Sequence, residues 1–221
     1  MVIIDEVHLL ADDRGAVIES IVARLHRLVE ATQRQMRIVG LSATLPNYRD
    51  VAQFLRVSER GLFHFGPEHR PVPLEQTFIG VSAKGRNAQE RKMNEICYEI
   101  VSDSLRRGHQ VMVFVHSRKG TGETATALAD IAVKKGELES LFLTAGTESH
   151  GAAYTRYSER AANSRNRELS LHFNNGMSIH HAGMLRNDRK LSEQMFADGA
   201  IKVLCCTATL GKTAPKMLPY D

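Results

Sequence analysis

Two adjacent carboxylates near the start of the chain are the first residues whose types suggest chemistry. Asp5 and Glu6 end the apolar run 1–4 and are followed by His8. A strand of a parallel sheet would deliver both carboxylates to its carboxyl edge, where open α/β sheets bind ligands. There Asp5 could hold Mg²⁺ on a nucleoside triphosphate, and Glu6 could polarise the attacking water. A strand ending in two solvated acids is the alternative, and the pair alone does not decide between them.

A second motif, one helix and one strand later, favours the catalytic interpretation. The loop Ser42-Ala43-Thr44 follows the apolar run 37–41. This is the spacing expected for the next parallel strand of the same sheet, so both loops would leave the same edge. A Ser-Ala-Thr loop in isolation is weak evidence. After D-E-x-H at this distance, it is strong evidence.

The elements that must position these residues follow an alternating pattern typical of an α/β fold. Segments of strand length are 1–4, 37–41, 77–81, 111–115, 141–143 and 201–205. Helical spacing or polarity predicts helices over 16–33, 47–56 with Asn47 as its cap, 87–107, 122–135 and 188–196, and an Arg-rich helix around 154–172.

A break in this alternation predicts two domains. Gly66-Pro67 and Pro71-Val72-Pro73 interrupt regular structure and favour extended neighbours. We therefore predict a first domain over residues 1–66, a crossing over 67–76 and a second domain over 77–210. The chain opens on the acidic strand and ends just after another strand, so both domains are expected to be incomplete.

The composition excludes a membrane-spanning protein and indicates a folded one. The 221 residues are 43% hydrophobic and 24% charged, which is ordinary for a globular protein. No apolar run approaches the roughly 20 residues needed to cross a bilayer, and the N-terminus lacks a signal peptide's features. The net charge of +4 is compatible with a phosphate backbone as partner. Cys97, Cys205 and Cys206 form an odd set, which indicates reduced intracellular thiols, and zinc has no ligand set.

Six motifs in a fixed order carry a family resemblance. The segments I-I-D-E-V-H-L-L and I-V-G-L-S-A-T-L-P-N-Y resemble motifs II and III of the Ski2-like superfamily 2 helicases. The segments R-P-V-P-L-E-Q-T-F, V-M-V-F-V-H-S-R-K, S-I-H-H-A-G-M-L-R and I-K-V-L-C-C-T-A-T-L resemble the interdomain crossing and motifs IV, IVa and V. The resemblance covers nearly all of residues 2–210 and is strongest to the large two-cassette members of the family.

The resemblance implies a fold, an activity and residue roles. The fold would be two RecA-like parallel-sheet domains. The activity would be ATP-dependent 3′-to-5′ unwinding of DNA or RNA, with ATP and Mg²⁺ as cofactors. The protein partners would be the subunits of a larger complex. The location would be nuclear, or also cytosolic. Asp5 would bind Mg²⁺ and Glu6 would act as the general base, while His8, Ser42 and Thr44 would couple nucleotide state to the bound strand. The residues expected along the nucleic-acid backbone are His116, Ser117, Arg118, His180, His181, Gly183, Thr207 and Thr209.

Several of these residues have simpler interpretations. A metal at His180-His181 lacks a third ligand, and adjacent side chains on a strand point to opposite faces. Ser117 and Thr207 could cap helices. The basic face formed by Arg156, Arg160, Arg165 and Arg167 is expected to be solvated, although nucleic acid could also contact it.

Two elements of the family pattern are missing from these residues. The phosphate-binding loop G-x-x-x-x-G-K-[ST] is not found, because Gly211-Lys212-Thr213 has Cys206 where a glycine is required. The family pattern is lost from Gly211 onward, so residues 211–221 are predicted to be a divergent tail, and the Arg-bearing motif VI is absent. We expect such a fragment to be inactive in ATP hydrolysis by itself. The alternatives are a non-catalytic truncated module that binds nucleic acid or protein, and an incomplete gene model.

Overall fold

The computed structural model describes residues 1–143 and 148–208, and for residues 148–152 the backbone alone. The chain forms two compact units, Met1–Phe78 and a second unit that begins at Ile79. Each contains its own parallel sheet, so the predicted α/β class with two parallel-sheet units is confirmed. Within the described residues, no helix is long and apolar enough to cross a membrane.

The first unit is a two-stranded parallel sheet with two helices. Strand β1 (Val2–Ile4) pairs with β2 (Ile38–Gly40), and the register places Ile4 opposite Gly40. Helix α1 (Gly15–Thr32) connects the strands, and α2 (Tyr48–Phe54) follows β2. Short 3₁₀ turns cover Val7–Ala11, Glu59–Gly61 and Pro67–His69. The small core consists of Val7, Val22 and Leu55.

The second unit is built on a three-stranded parallel sheet. Its strands are β3 (Val111–Phe114), β4 (Met177–His180) and β5 (Val203–Cys206), in the spatial order β3-β5-β4. Its helices are α3 (Arg86–Arg106), α4 (Arg118–Lys134), α5 (Glu148–Ala162), α6 (Arg167–Phe173) and α7 (Arg186–Ala197). All residues of β4 and β5 are buried, and the core includes Tyr98, Phe142, Phe173, Leu128, Leu169 and Met195.

The three cysteines are free thiols, as predicted. Cys205 and Cys206 lie buried in β5, and Cys97 on α3 is half-buried. Burial raises the pKa of the Cys206 thiol to about 11 and also raises the pKa of Cys97. These residues therefore belong to the packed interior of the second unit and remain protonated thiols near neutral pH.

Two predicted strands are wrong. Residues 77–81 form no strand: they pair with neither of the two sheets of the described chain, and Phe78 is 89% exposed. Residues 141–143 lie instead in the π-helical turn Leu138–Leu143. The side chain of Phe142 is fully buried there and stacks on Tyr98, with ring centroids 6.2 Å apart. An apolar run this short does not distinguish a strand from a buried helical turn.

Other differences concern boundaries. Helix α4 begins at Arg118 rather than at 122, because Ser117 supplies the cap. The Arg-rich segment is two helices, since the side chain of Asn166 accepts hydrogen bonds from Glu168 N and Leu169 N and starts α6. Asn47 occupies the cap position of α2, but its side chain makes no capping hydrogen bond. Strand β4 was not predicted, because its four buried positions give no alternation.

Two glycines have left-handed backbone conformations, but only one of them is closely surrounded. Comparing them distinguishes the free-energy cost of a positive φ in a non-glycine residue from the cost of a steric clash. Gly176 has φ 70°, and a Cβ there would lie 2.2 Å from the Phe142 carbonyl oxygen. Gly199 has φ 74° and open space around the Cβ position. We expect Gly199→Ala to cost about 1–2 kcal/mol in unfolding free energy. Gly176→Ala should cost about 1–3 kcal/mol more, because backbone must move.

Chemical denaturation of the two variants beside the unchanged chain measures this difference. Gly199→Ala is the matched control for conformation alone. Equal losses of unfolding free energy in the two variants would show that the π-helical turn does not confine Gly176.

Candidate functional site

The predicted acidic motif and the Ser-Ala-Thr loop leave neighbouring strands at the same edge of the first sheet. The Leu41 N–H donates to the Ile4 carbonyl at 2.9 Å, and the Val7 N–H donates to the Leu41 carbonyl at 2.9 Å. These bonds continue the β1–β2 pairing past the ends of the strands. As a result, Asp5 and Glu6 lie beside the loop that contains Ser42 and Thr44.

Glu6 has an unusual backbone conformation. Its φ and ψ of 55° and 43° lie in the left-handed region, which few residues other than glycine adopt. The Glu6 N–H donates to Asp5 Oδ1 at 2.9 Å, which links the two acids. This sharp turn ends β1 and starts the 3₁₀ turn, and it leaves the Glu6 side chain 58% exposed at the sheet edge. Non-glycine residues in this region often mark functional sites.

His8 connects the acid to the neighbouring loop. Its Nε2 lies 3.2 Å from Glu6 Oε2, and its Nδ1 accepts the Ala43 N–H at 3.3 Å. Because Nδ1 accepts a hydrogen bond, the proton of the neutral ring is on Nε2, the atom that lies 3.2 Å from Glu6 Oε2. Both contacts are satisfied by this single tautomer. The imidazole is therefore a bridge between the candidate base and the loop after β2.

The two predicted coupling hydroxyls do not make this connection. Ser42 Oγ donates to the adjacent Ala43 carbonyl at 2.8 Å, and within the described residues Thr44 has no side-chain hydrogen bond. The backbone N–H of Ala43 carries the link instead. Sequence reasoning missed this group, because a backbone donor has no signature in the choice of side chain.

The acidic motif fits Mg²⁺ as a partial ligand set. Asp5 has an exposed carboxylate at the sheet edge, and one of its oxygens is engaged by the Glu6 N–H. Oxygen ligands of this type suit Mg²⁺, which usually takes one or two carboxylates together with water and phosphate oxygens. No group of three or more His, Cys, Asp or Glu residues within the described chain could hold a metal alone. Asp5 thus suits a cation that arrives with a phosphate ligand.

Three loops meet at the carboxyl edge of the second sheet. The Val115 N–H donates to the Cys206 carbonyl at 2.8 Å, and the Thr207 N–H donates to the His180 carbonyl at 3.1 Å. The structure thereby brings together the predicted residues that follow β3, β4 and β5. Thr209 lies outside the described residues.

The loop after β3 presents exposed polar groups. His116, Ser117 and Arg118 are all exposed. Ser117 Oγ accepts the Gly120 N–H at 2.9 Å and caps α4, so the capping interpretation of this serine is correct. Arg118 is the first residue of α4 and lies close to Gly183, where a Cβ would be 3.3 Å from Arg118 Cδ.

The two adjacent histidines have different environments. His180 is the last residue of β4 rather than part of a turn, and its side chain is fully buried with Nε2 2.8 Å from Glu193 Oε1. His181 is half-exposed, and its Nδ1 accepts the Gly183 N–H at 3.1 Å. A surface contact by the His180 side chain is therefore excluded in this conformation. His181 remains available at the edge, beside Arg118.

Burial lowers the pKa of His181, with Arg118 and His180 acting in the same direction and Glu168 opposing them. The ring is consequently neutral near neutral pH, which leaves Nδ1 free to accept the Gly183 N–H. The conformation of this loop thus depends on an uncharged histidine.

The predicted basic face is partly used within the unit. Arg156 lies 3.5 Å from Asp198, and Arg160 donates to Gln194 Oε1 at 3.1 Å. The Arg160 guanidinium also lies over the Tyr157 ring, 5.2 Å from its centroid. These contacts attach α5 to α7, so two of the four arginines have a structural role.

Comparison with known proteins gives one matching family, several similar proteins and a solved structure. Residues 1–52 match the family described as DEAD/DEAH box helicase. Over 95% of its length the chain is 54% identical to the DExH-box ATP-dependent RNA helicase DExH14 of Arabidopsis thaliana and 51% identical to activating signal cointegrator 1 complex subunit 3 of Homo sapiens. It spans 10% and 9% of those proteins, respectively. The Mycobacterium smegmatis helicase Lhr, solved with ssDNA and AMP-PNP, aligns with TM-score 0.44 and 18% identity over 94% of this chain and 22% of that one.

The resemblance predicted from the motifs is therefore confirmed. The motif wording H-H-A-G-M-L-R favours the helicase subunit of the activating signal cointegrator complex over the spliceosomal U5 helicase, the second choice, and that subunit is among the relatives found. The roles predicted for individual site residues stay predictions.

The neutral His181 predicts a pH dependence of stability. Its pKa is lowered in the folded chain, so the unfolded chain takes up the proton first as the pH falls through the ordinary histidine value of about 6.5. Stability is therefore lost on acidification. His181→Gln, which keeps an acceptor for the Gly183 N–H but does not titrate, should show a smaller loss of Tm between about pH 8 and pH 5.5.

Differential scanning calorimetry of the two proteins at both pH values measures the effect. An equal loss of Tm in the unchanged chain and in His181→Gln would refute a contribution from this histidine.

Proposed function

We propose that this chain is part of an ATP-dependent nucleic-acid helicase, with the ATP site in the first unit and a nucleic-acid-binding edge in the second. The His8 bridge is the observation that carries the proposal, because it connects the candidate base Glu6 to the loop after β2. One imidazole thereby lies 3.2 Å from a carboxylate oxygen of Glu6 and accepts a hydrogen bond from a backbone N–H of the neighbouring loop. Such a contact is a direct path by which a change at the candidate base would reach that loop.

The roles at the ATP site follow from the chemistry of the groups. Asp5 would hold Mg²⁺, which when bound with ATP neutralises phosphate charge. Glu6 would take the proton of the attacking water. Its Oε2 lies 3.2 Å from His8 Nε2, so in this proposal Oε1 is the atom that accepts that proton. His8 fixes the orientation of the carboxylate and senses any movement of the 42–44 loop.

The second unit supplies a surface suited to a phosphate backbone. Arg118, His181 and the exposed polar groups of His116 and Ser117 lie at one sheet edge. Guanidinium, imidazole and hydroxyl groups are common contacts to phosphate oxygens. In this proposal His180 acts indirectly by shaping β4, and Thr207 extends the edge after β5. The contact proposed for Thr209 rests on the motif alone.

The finer features of the proposal rest on the resemblance. The names of the relatives identify one as an RNA helicase and the other as a subunit of a complex, so we propose a DNA or RNA substrate and partners in a larger assembly. The 3′-to-5′ direction and a nuclear or also cytosolic location have the same basis. We propose four segments: an ATP-binding domain over 1–66, a crossing over 67–76, a helicase C-terminal domain over 77–210 and a divergent tail over 211–221. The boundary between the two compact units, at Phe78 and Ile79, supports the division between the two domains.

Replacement of Glu6 tests the proposal most directly. In a protein that joins this chain to a phosphate-binding loop, Glu6→Gln should lower ATP hydrolysis by about 10²–10⁴-fold, because the general base is lost. Binding of ATP should persist, since Asp5 still holds the cation. Steady-state hydrolysis and equilibrium binding of a fluorescent ATP analogue measure the two effects separately.

A polypeptide of residues 1–221 is the matched control. It contains no G-x-x-x-x-G-K-[ST] segment and should show no hydrolysis stimulated by nucleic acid. Stimulated hydrolysis by this polypeptide that disappears in Glu6→Gln would contradict its expected inactivity. Parallel losses of binding and hydrolysis in the longer protein would instead make Glu6 a structural residue.

The His8 bridge predicts that hydrolysis and unwinding can be separated. In the longer protein, His8→Phe removes the hydrogen bond from the Ala43 N–H and the contact with the Glu6 carboxylate while retaining a ring of similar shape. The amount of strand unwound per ATP should fall about tenfold, a typical size for coupling between two sites. Thr44→Ala is the control and should have a smaller effect, because within the described residues its hydroxyl has no side-chain hydrogen bond.

Hydrolysis, unwinding and Tm measured on one preparation distinguish coupling from folding. If His8→Phe lowers hydrolysis and unwinding in proportion together with Tm, the bridge is a structural contact only.

A further inference from the structure

A groove between α4 and α6 in the second unit has no role in the proposed mechanism. It encloses about 400 Å³. One side is the face of α4 that carries Gly122, Thr126 and Asp130, and the other is the face of α6 that carries Glu168, Leu171 and His172. Residues spaced by three, four and eight positions share one face of a helix, so each side is continuous.

The groove carries net negative charge. Lys119 at its start is paired with Glu123 at 2.7 Å, so these two charges cancel. The remaining acids are Glu168, whose carboxylate lies near Gly122, and Asp130 further along α4. No ion pair to either is found within the described part of the chain. Such a groove repels a phosphate backbone and attracts a cationic side chain.

Two further features indicate an occupant. His172 is only 2% exposed, yet its Nδ1 is buried and makes no hydrogen bond to any described residue. A buried polar atom without a partner is costly unless something else satisfies it. Leu171 beside it is 57% exposed and lines the same groove. Together they place an imidazole and an apolar side chain on the wall of the groove.

We propose that this groove binds a basic amphipathic helix of a protein partner, with an arginine seated against Glu168 and His172. Arginine fits better than lysine, because its planar guanidinium offers several donors at fixed angles and its stem packs on apolar surface. The neighbouring apolar side chain of the partner contacts Leu171. A second basic residue reaches Asp130.

The spacing of the groove defines the partner sequence. Gly122, next to the Glu168 carboxylate, and Asp130 are separated by eight positions on α4 (130 − 122 = 8), which is about 12 Å along the helix. A helix packed along α4 therefore presents its two basic residues seven or eight positions apart, with leucine-like residues between them. This is the helix-in-groove mode of recognition.

Binding of a designed peptide tests the proposal. The probe is a fluorescein-labelled helical peptide of about four turns with two arginines eight positions apart. Anisotropy titration of the 221-residue chain should show saturable binding. Glu168→Gln should weaken it about tenfold, as expected for a charged hydrogen bond. Asp130→Asn should weaken it about threefold, as expected for an exposed ion pair.

Controls assign the binding to the groove. Glu99→Gln removes an exposed carboxylate on α3 outside the groove and should leave binding unchanged. Leu171→Ala should weaken binding without lowering Tm, because the side chain is already exposed in the free protein. A peptide with lysines in place of the arginines should bind more weakly.

Several outcomes would overturn the proposal. Equal binding of the arginine and lysine peptides together with no effect of Glu168→Gln would indicate unspecific charge attraction. A single-stranded oligonucleotide is the competitor. If it displaces the peptide from the unchanged chain and does not bind to the Glu168→Gln variant, the groove is a nucleic-acid site. Binding to the 221-residue chain but not to a longer protein containing it would mean that another part of the same chain covers the groove.

Discussion

Backbone hydrogen bonds that continue past the strand ends are the constraint on which both candidate sites depend. In each unit they align loops that are far apart in sequence. Ile4 and Gly40 are opposite one another in the first sheet, and Phe114, Cys206 and His180 are level in the second. A shift of one residue in either sheet would turn every side chain of the shifted strand to the opposite face and separate the loops. The chemistry is thus positioned by register, and the side chains only occupy the positions that register creates.

The extent to which sequence predicts this arrangement depends on how local the information is. Helix α1 and strands β1 and β2 agree with the prediction, because amphipathic spacing and apolar runs ended by polar residues are local patterns. The turn around Phe142 was predicted as a strand, because its burial against Tyr98 depends on a helix more than thirty residues earlier. Strand β4 escaped prediction because complete burial removes alternation.

The candidate site shows the same division. The residues that follow β1 and β2, including Asp5, Glu6 and His8, come together as their motif order predicts. The partner of His8 is the backbone of Ala43, and a main-chain donor is present at almost every position of any sequence. The burial of His180 and the exposure of His181 are likewise invisible in a pair of identical letters. The position at which β4 ends determines which of the two histidines points into the interior.

The two buried cysteines that end β5 provide a way to follow opening of the second sheet. Alkylating reagents attack the thiolate, and burial both shields Cys206 and raises its pKa to about 11. The thiols of β5 can therefore react only when the central strand of the second sheet separates from its neighbours, and their modification must be distinguished from that of the half-buried Cys97. The rate at which the β5 thiols are modified under native conditions therefore reports the rate of sheet opening, and no label has to be introduced. Because β5 holds β3 and β4 in register, the same modification rate also reports how long the three loops of the edge remain assembled.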